Sequence, residues 1–450
     1  MKRNGLYLTT AALAAVLSSC GGGGSTPQQD LDNELRQALS TYGVTELAPL
    51  PMHTAEKVAL GQALFFDKLL SGNRDMSCAT CHDPRDAGGD GLSLSVGVGG
   101  SGIGHQRILG SGKEFIPRNA PELFERGGVE FTSMFWDSRV DMDPQGSFRS
   151  PAMGQLPQGL DSVLAVQAMF PVTSRAEMRG FDGDDDVLGS PNELALLADN
   201  DFTGMWDGLM QRVLDVEEYR GMFADAYPGV AEQDLGFQHA ANAIAAFESE
   251  GFSFRNTPFD NYLAGDDSAL TDNEKEGALL FYGVAGCARC HTGPAMTDLE
   301  HYNFMVPALG PGKADGIDPG FALTSHNDAD RFSFRTPPLR NVALTGPWMH
   351  DGSFTDLRSA VRHMLDCQES VHGYDPLSLK EDVRATLNMD QLLLDDMLAT
   401  ISPAAAERRQ LTDAQLDRLM DFLGALTDPA AATQMPALLP DSVPSGLPVD

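Results

Sequence analysis

Cysteine is scarce in this chain, six residues among 450, and four of the six form two CxxC pairs, Cys78/Cys81 and Cys287/Cys290. Only Cys20 and Cys367 remain, so no disulfide framework can be drawn. Cys367 reads as a buried structural thiol. Basic residues are few as well: 31 Lys and Arg stand against 64 Asp and Glu, for a net charge of -33. That balance would repel a phosphate backbone and excludes nucleic acid as a partner, while steering basic proteins toward the surface. The opening apolar run, Leu6 to Leu17 after Met1-Lys2-Arg3, is too short for a permanent bilayer span and has the form of a secretory signal, residues 1–19. Leu17-Ser18-Ser19-Cys20 matches a bacterial lipobox, in which cleavage leaves Cys20 to be acylated. Residues 20–30 then form a lipidated, glycine-rich tether, and the protein is expected in the periplasm, anchored to a membrane through Cys20. A soluble periplasmic protein cut at a nearby small residue is the alternative.

Each CxxC pair runs directly into histidine, as Cys78-Ala-Thr-Cys81-His82 and Cys287-Ala-Arg-Cys290-His291. Covalent attachment of c-type haem needs this pentapeptide: two thiols add to the vinyl groups, and the adjacent imidazole takes an axial position on the iron. A zinc site would need further close ligands, and a thioredoxin-type dithiol a βαβ setting; neither is present in the flanking sequence. Two covalently bound haem c groups are therefore expected.

Strand signals are few, so the fold is expected to be mainly α. Thr54 can cap a helix from Ala55 to about Asp67, and Thr271-Asp-Asn-Glu274 is a capping box for a second helix leading to the second motif. The segments Glu56-Lys-Val-Ala-Leu-Gly61 to Leu64-Phe65 and Glu274-Lys-Glu-Gly277 to Leu280-Phe281 repeat one pattern. This suggests internal duplication into two c-type cytochrome domains, with one haem in each, over residues 31–250 and 251–428. Amphipathic helices Phe237 to Phe247 and Leu416 to Leu423 would close them. Gly88 to Gly112 reads as a long loop over the first haem, and 429–450 as a loose tail. Asp182, Asp184, Asp186 and Glu193 resemble an EF-hand loop without its glycine, and read as a solvated acidic insertion.

Further phrases resemble the bacterial dihaem cytochrome c peroxidase and MauG family: Pro117-Arg-Asn-Ala-Pro121, Phe135-Trp-Asp-Ser-Arg139, Ala176-Glu-Met178, and Arg335-Thr-Pro-Pro-Leu-Arg340 through Thr345-Gly-Pro347-Trp-Met-His350-Asp-Gly352. The resemblance implies a first haem that reacts with hydrogen peroxide and a second that collects electrons from a small periplasmic cytochrome c or cupredoxin. Family members are often homodimers. By motif, Glu177 corresponds to the carboxylate on the open face of the peroxide-reactive haem, where one acid can move a proton between the peroxide oxygens. Trp136 corresponds to the tryptophan between the haems. Asn119, Thr345 and Pro347 correspond to the ligands of one interdomain calcium ion, through a side-chain oxygen and two backbone carbonyls. Met364, fourteen residues after His350, stands where the peroxidases have the methionine ligand opposite His291 and MauG has tyrosine. His363 and Met349 are competing ligands, but neighbours on a helix lie about 100° apart, so only one of His363 and Met364 can face the haem. The family's removable histidine, sixteen residues after His82, is here Val98, with His105 the nearest histidine. The expected activity is a cytochrome c peroxidase. The alternatives are a MauG-like oxidase of a partner protein and a non-catalytic dihaem electron carrier.

Overall fold

The computed structural model describes residues 27–314 and 316–450. The expected signal, Cys20 and the first residues of the tether lie outside the described residues. The described chain is mainly helical, with sheet confined to an antiparallel strip of three short strands (Ser133–Met134, Val140–Met142, Phe148–Arg149) and one pair (His301–Tyr302 with Phe334–Arg335). No described helix is long and apolar enough to cross a membrane.

Two helix crossings organise the molecule. Helix Ala55–Phe66, its first turn capped by the Thr54 hydroxyl, packs across Phe237–Gly251. Helix Asp272–Tyr282, started by the Thr271/Glu274 capping box, packs across Asp413–Gly424 in the same manner. At each crossing a glycine lies against a peptide group. A Cβ on Gly61 would stand 1.9 Å from the Ala243 carbonyl oxygen, and one on Gly277 would stand 1.9 Å from that of Arg418. One turn further along, Phe65 meets Phe247 at 5.2 Å between ring centroids, and Phe281 meets Phe422 at 5.3 Å. Only glycine permits so close an approach, and the aromatic pair seals it.

The chain ends are exchanged between the two cores, which corrects the boundaries expected at residues 31 and 429. Helix Pro27–Thr41 sends Leu35 and Leu39 into the core around Phe281 and Phe422, in the unit of the second motif. There Asp32 pairs with the fully buried Lys275 at 2.6 Å, and the Tyr42 carbonyl accepts the Thr292 hydroxyl at 2.6 Å, one residue past the second CxxCH. The segment after Asp428 is not a loose tail. It returns across the first unit and buries Ala431, Met435 and Val443 in that core. The Ser445 hydroxyl donates to Asp67 at 2.7 Å, Asp450 pairs with Lys68 at 2.5 Å, and Thr80, inside the first CxxCH, donates its hydroxyl to Asp450. Proline and alanine in the sequence hid this because the packing partners are hundreds of residues away.

The glycine-dense stretch has little regular structure, but it is not loosely draped. Leu92, Leu94 and Val96 bury against Leu309, Leu379 and Val383 of the second unit. Replacing Gly61 or Gly277 by alanine forces a methyl group into a carbonyl and should destabilise the protein by about 1–3 kcal/mol. Gly221→Ala, at a helical site with open space around it, should be neutral or stabilising by up to about 1 kcal/mol. Denaturant unfolding of the three variants checks both signs.

Candidate functional site

Each CxxCH turn opens into its own hollow. The first hollow has a volume of about 1230 Å³ and the second about 1520 Å³, counted with their mouths. Cys78, Cys81 and His82 line the first; Cys287, Cys290 and His291 line the second. His82 Nδ1 sits 3.0 Å from the Gly88 carbonyl, and His291 Nδ1 3.2 Å from that of Met296. A carbonyl at Nδ1 fixes the proton there and leaves Nε2 as a free lone pair, which is how an axial imidazole is oriented. Burial lowers both histidines and keeps them neutral. It also pushes the Cys78 and Cys287 thiols up to about 12, and Cys290 to about 11. Among the described residues, no cluster of three or more His, Cys, Asp or Glu is placed to hold a metal ion by itself. Two thiols and one oriented imidazole in each hollow are the donor set that haem c requires.

Three glutamates line the first hollow, Glu122, Glu177 and Glu248, and Glu177 is carried on the tight turn Arg175–Arg179. That turn is gripped from two sides. The Gly72 N–H donates to the Met178 carbonyl at 2.7 Å, and the Val98 N–H to the Ala176 carbonyl at 3.3 Å. Gly97 makes this possible, since a Cβ there would lie 1.9 Å from the Ala176 oxygen. Val98 is thus a buried support of the acid-bearing turn and not part of the hollow's lining. His105 also lies outside the lining, with its side chain 66% exposed and 3.9 Å from Asp86. The acidic run is held by cations: Asp184 by Lys113 at 2.6 Å, Asp186 by Arg74, and Glu193 by Arg212.

In the second hollow, helix Leu357–Leu365 separates the neighbouring candidates as its geometry requires. Met364 lines the hollow with His291, whereas His363 is fully buried on another side, with Nε2 2.8 Å from the Phe304 carbonyl. Met349 and His350 line the hollow as well. So do Thr345, Pro347 and Asn119. Asn119 donates its Nδ2 to the Leu92 carbonyl at 2.7 Å, which leaves Oδ1 as its available oxygen.

Trp136 stands on the partition, lining both hollows, with Nε1 donating to the Asn119 carbonyl at 3.0 Å. The Asn119 N–H in turn donates to the His350 carbonyl at 2.8 Å, so the partition is bonded across the two units. Beside it, Asp137 is 2% exposed and pairs with Arg118 at 2.7 Å and Arg139 at 3.0 Å. Burial pushes its carboxyl up, but the two guanidinium groups outweigh that and hold it well below the usual range.

Several lining residues escaped the sequence reading. Gln167 lines the first hollow, as does Lys313, which comes from the second unit; burial pushes Lys313 down to about 8. Glu248 lies on the wall with an unpartnered Oε2, and burial pushes its carboxyl up to about 8. A sequence signal existed for Glu248, an acid one turn beyond Ile244 on the apolar face of its helix. None existed for Lys313, which sits on a loop far from either motif.

The family model described as di-haem cytochrome c peroxidase matches residues 55–268. The methylamine utilization protein MauG of Paracoccus denitrificans (strain Pd 1222) is 30% identical over 396 residues, 82% of this chain and 88% of that protein. The chain belongs to the dihaem cytochrome c peroxidase and MauG family. The cytochrome c551 peroxidase of Pseudomonas aeruginosa (strain PAO1) is 29% identical, over 72% of this chain and 76% of that one. A crystal structure of a MauG-like protein associated with microbial copper homeostasis shares the fold, with a TM-score of 0.58 at 24% identity, covering 89% of this chain and 97% of that chain. As a member of this family the protein is a haem-dependent oxidoreductase.

Asp137→Asn should cost about 3–5 kcal/mol at pH 7, because it strips a buried carboxylate from the buried Arg118 and the half-buried Arg139. A depressed native pKa gives stability that is present above the ordinary carboxylate range and lost as pH falls through the native value. The gap between wild type and variant should therefore shrink from pH 7 to pH 3, as measured by chemical denaturation.

Proposed function

We propose that this protein is a dihaem c-type peroxidase that reduces hydrogen peroxide to water in the first hollow, with electrons entering through the second. The observation that carries the reading is the contrast between the linings: the first offers His82 with an acid, Glu177, and no second histidine, while the second offers His291 with Met364. When bound, the two haems supply the electron transfer and a coordination position at which peroxide can be cleaved. His82 and His291, each oriented through Nδ1, would hold them through Nε2, and Met364 would offer its thioether to the second. The matching crossings at Gly61 and Gly277 support an internal duplication of one cytochrome unit.

Reduction of hydrogen peroxide to two waters consumes two electrons and two protons, and one O–O bond breaks. Glu177 accepts the proton of one peroxide oxygen and returns it to the other, which leaves as water. Trp136 places an oxidisable ring on the partition, in the line of electron delivery. Asn119 Oδ1 and the carbonyls of Thr345 and Pro347 are the oxygen donors for a calcium ion that would fix the partition. The net charge of -33 suits a small basic cytochrome c or cupredoxin as donor. The signal-like and lipobox-like residues 1–20 support a periplasmic location on a lipid anchor. A MauG-like oxidase acting on a partner protein is the second reading, supported by the 30% identity to a MauG. A methionine at 364 favours the peroxidase, because a thioether stabilises the reduced iron of an electron relay.

The test is peroxide-dependent oxidation of a reduced small cytochrome c by the purified holoprotein. Glu177→Gln should retain two covalent haems and lose roughly 100-fold or more in turnover. Wild-type turnover in that variant would remove Glu177 from the chemistry. Failure of the holoprotein to oxidise any small cytochrome or cupredoxin with peroxide would remove the peroxidase reading itself.

A further inference from the structure

Five residues line both hollows: Asn119, Pro121, Glu122, Trp136 and Arg335. Arg335 is the one basic side chain among them, and it is 3% exposed. Its backbone N–H donates to the Trp136 carbonyl at 2.8 Å and its Nε to the Phe135 carbonyl at 2.9 Å, which pins the side chain to the partition. The other three arginines lining the first hollow each have a carboxylate. Arg118 has Asp137 and Asp318, both at 2.7 Å; Arg126 has Glu122 at 2.6 Å; and Arg139 has Asp137 at 3.0 Å. Arg335 has no ion pair of its own among the described residues. The two acids whose charge reaches it are Glu122 and Asp137, the same two already engaged. Burial, reinforced by Arg126, pushes its guanidinium down to about 9, a measure of how poorly the chain compensates that charge. A guanidinium stays ionised in proteins, so one kept here requires an anion the chain does not provide.

Haem c carries two propionate carboxylates, and a guanidinium is the side chain best matched to carboxylates, with donors on two edges of its plane. We infer that Arg335 is a shared carboxylate anchor, binding a haem propionate on each side of the partition and placing one positive charge beside both irons. The inference rests on the dihaem reading above. A cation favours the reduced state, which carries one positive charge less, so Arg335 raises both reduction potentials together. No other cation lines both hollows, and the coupling therefore depends on this position.

The experiment uses the holoprotein as wild type, Arg335→Gln, Arg335→Lys and Arg409→Gln. Arg409 serves as the control because it lines the second hollow only and pairs with Glu407 at 2.8 Å. Covalent haem is counted first on denatured protein, and the two midpoint potentials are then read by spectroelectrochemical titration. Arg335→Gln should keep two haems and lower both potentials, whereas Arg409→Gln should move the second haem's potential alone. Unchanged potentials in Arg335→Gln, or a change at one haem only, would overturn the shared anchor. If Arg335→Gln does not accumulate with both haems, Arg335→Lys carries the test. A buried amine loses its proton as pH rises where a guanidinium does not. Both potentials of that variant should then fall in parallel relative to wild type between about pH 6 and 10, and a fall at one haem or at neither overturns the inference. Fewer than two covalent haems in the wild type would instead defeat the dihaem reading, a separate result from unmoved potentials.

Discussion

A peptide carbonyl 1.9 Å from where a Cβ would stand leaves no choice of residue at Gly61 or Gly277, and the rest of the molecule follows from those two contacts. Backbone-to-backbone approach brings Phe65 onto Phe247 and Phe281 onto Phe422. Those pairs set the floor of each core, and the CxxCH turn after each helix inherits its position from that floor. A side chain at either glycine would lift the crossing and take the thiols and imidazole of that hollow with it. The cost of two glycines inside helices, about 1 kcal/mol each in propensity, is offset by the burial they permit.

The partition between the hollows is held mainly by polar groups. Trp136, Asn119 and His350 form a chain of hydrogen bonds from one unit to the other, and the cluster of Arg118, Asp137, Arg139 and Asp318 locks the same region with charge. Breaking any member leaves an unpaired buried group, so the relative placement of the units is stiff. Stiffness suits electron transfer, which needs a constant separation and little rearrangement.

Legibility from sequence followed the range of the interaction. The motifs, the helix caps at Thr54 and Thr271, and the 100° separation of His363 and Met364 are local, and the sequence alone defined them. Glu177 and Trp136 were identified by resemblance only, since a half-buried glutamate on a turn has no periodic signature. What could not be read were contacts between residues far apart in the chain: Lys313 entering the first hollow, Leu92 to Val96 sealing the two units together, and the packed segment after Asp428. Composition read that last segment as a loose tail, whereas Ala431–Gln434 and Met435–Leu438 are helical turns packed on the first core. It gave no information on burial, because Ala431, Met435 and Val443 find their partners in the opposite unit.

The exchanged ends have a consequence for the order in which the molecule matures. Helix Pro27–Thr41 emerges early in synthesis, yet its partner Asp272–Tyr282 comes hundreds of residues later, and the first unit's core waits for residues 431–443 to be complete. Neither unit closes on its own as the chain appears, and the long-range contacts make closure slow. Of the two CxxCH turns, the first is touched by a late partner, through Thr80 and Asp450, whereas the second meets the early residue Tyr42 through Thr292. The first CxxCH turn thus gains one of its supports, Asp450, only when the last stretch of polypeptide has been made.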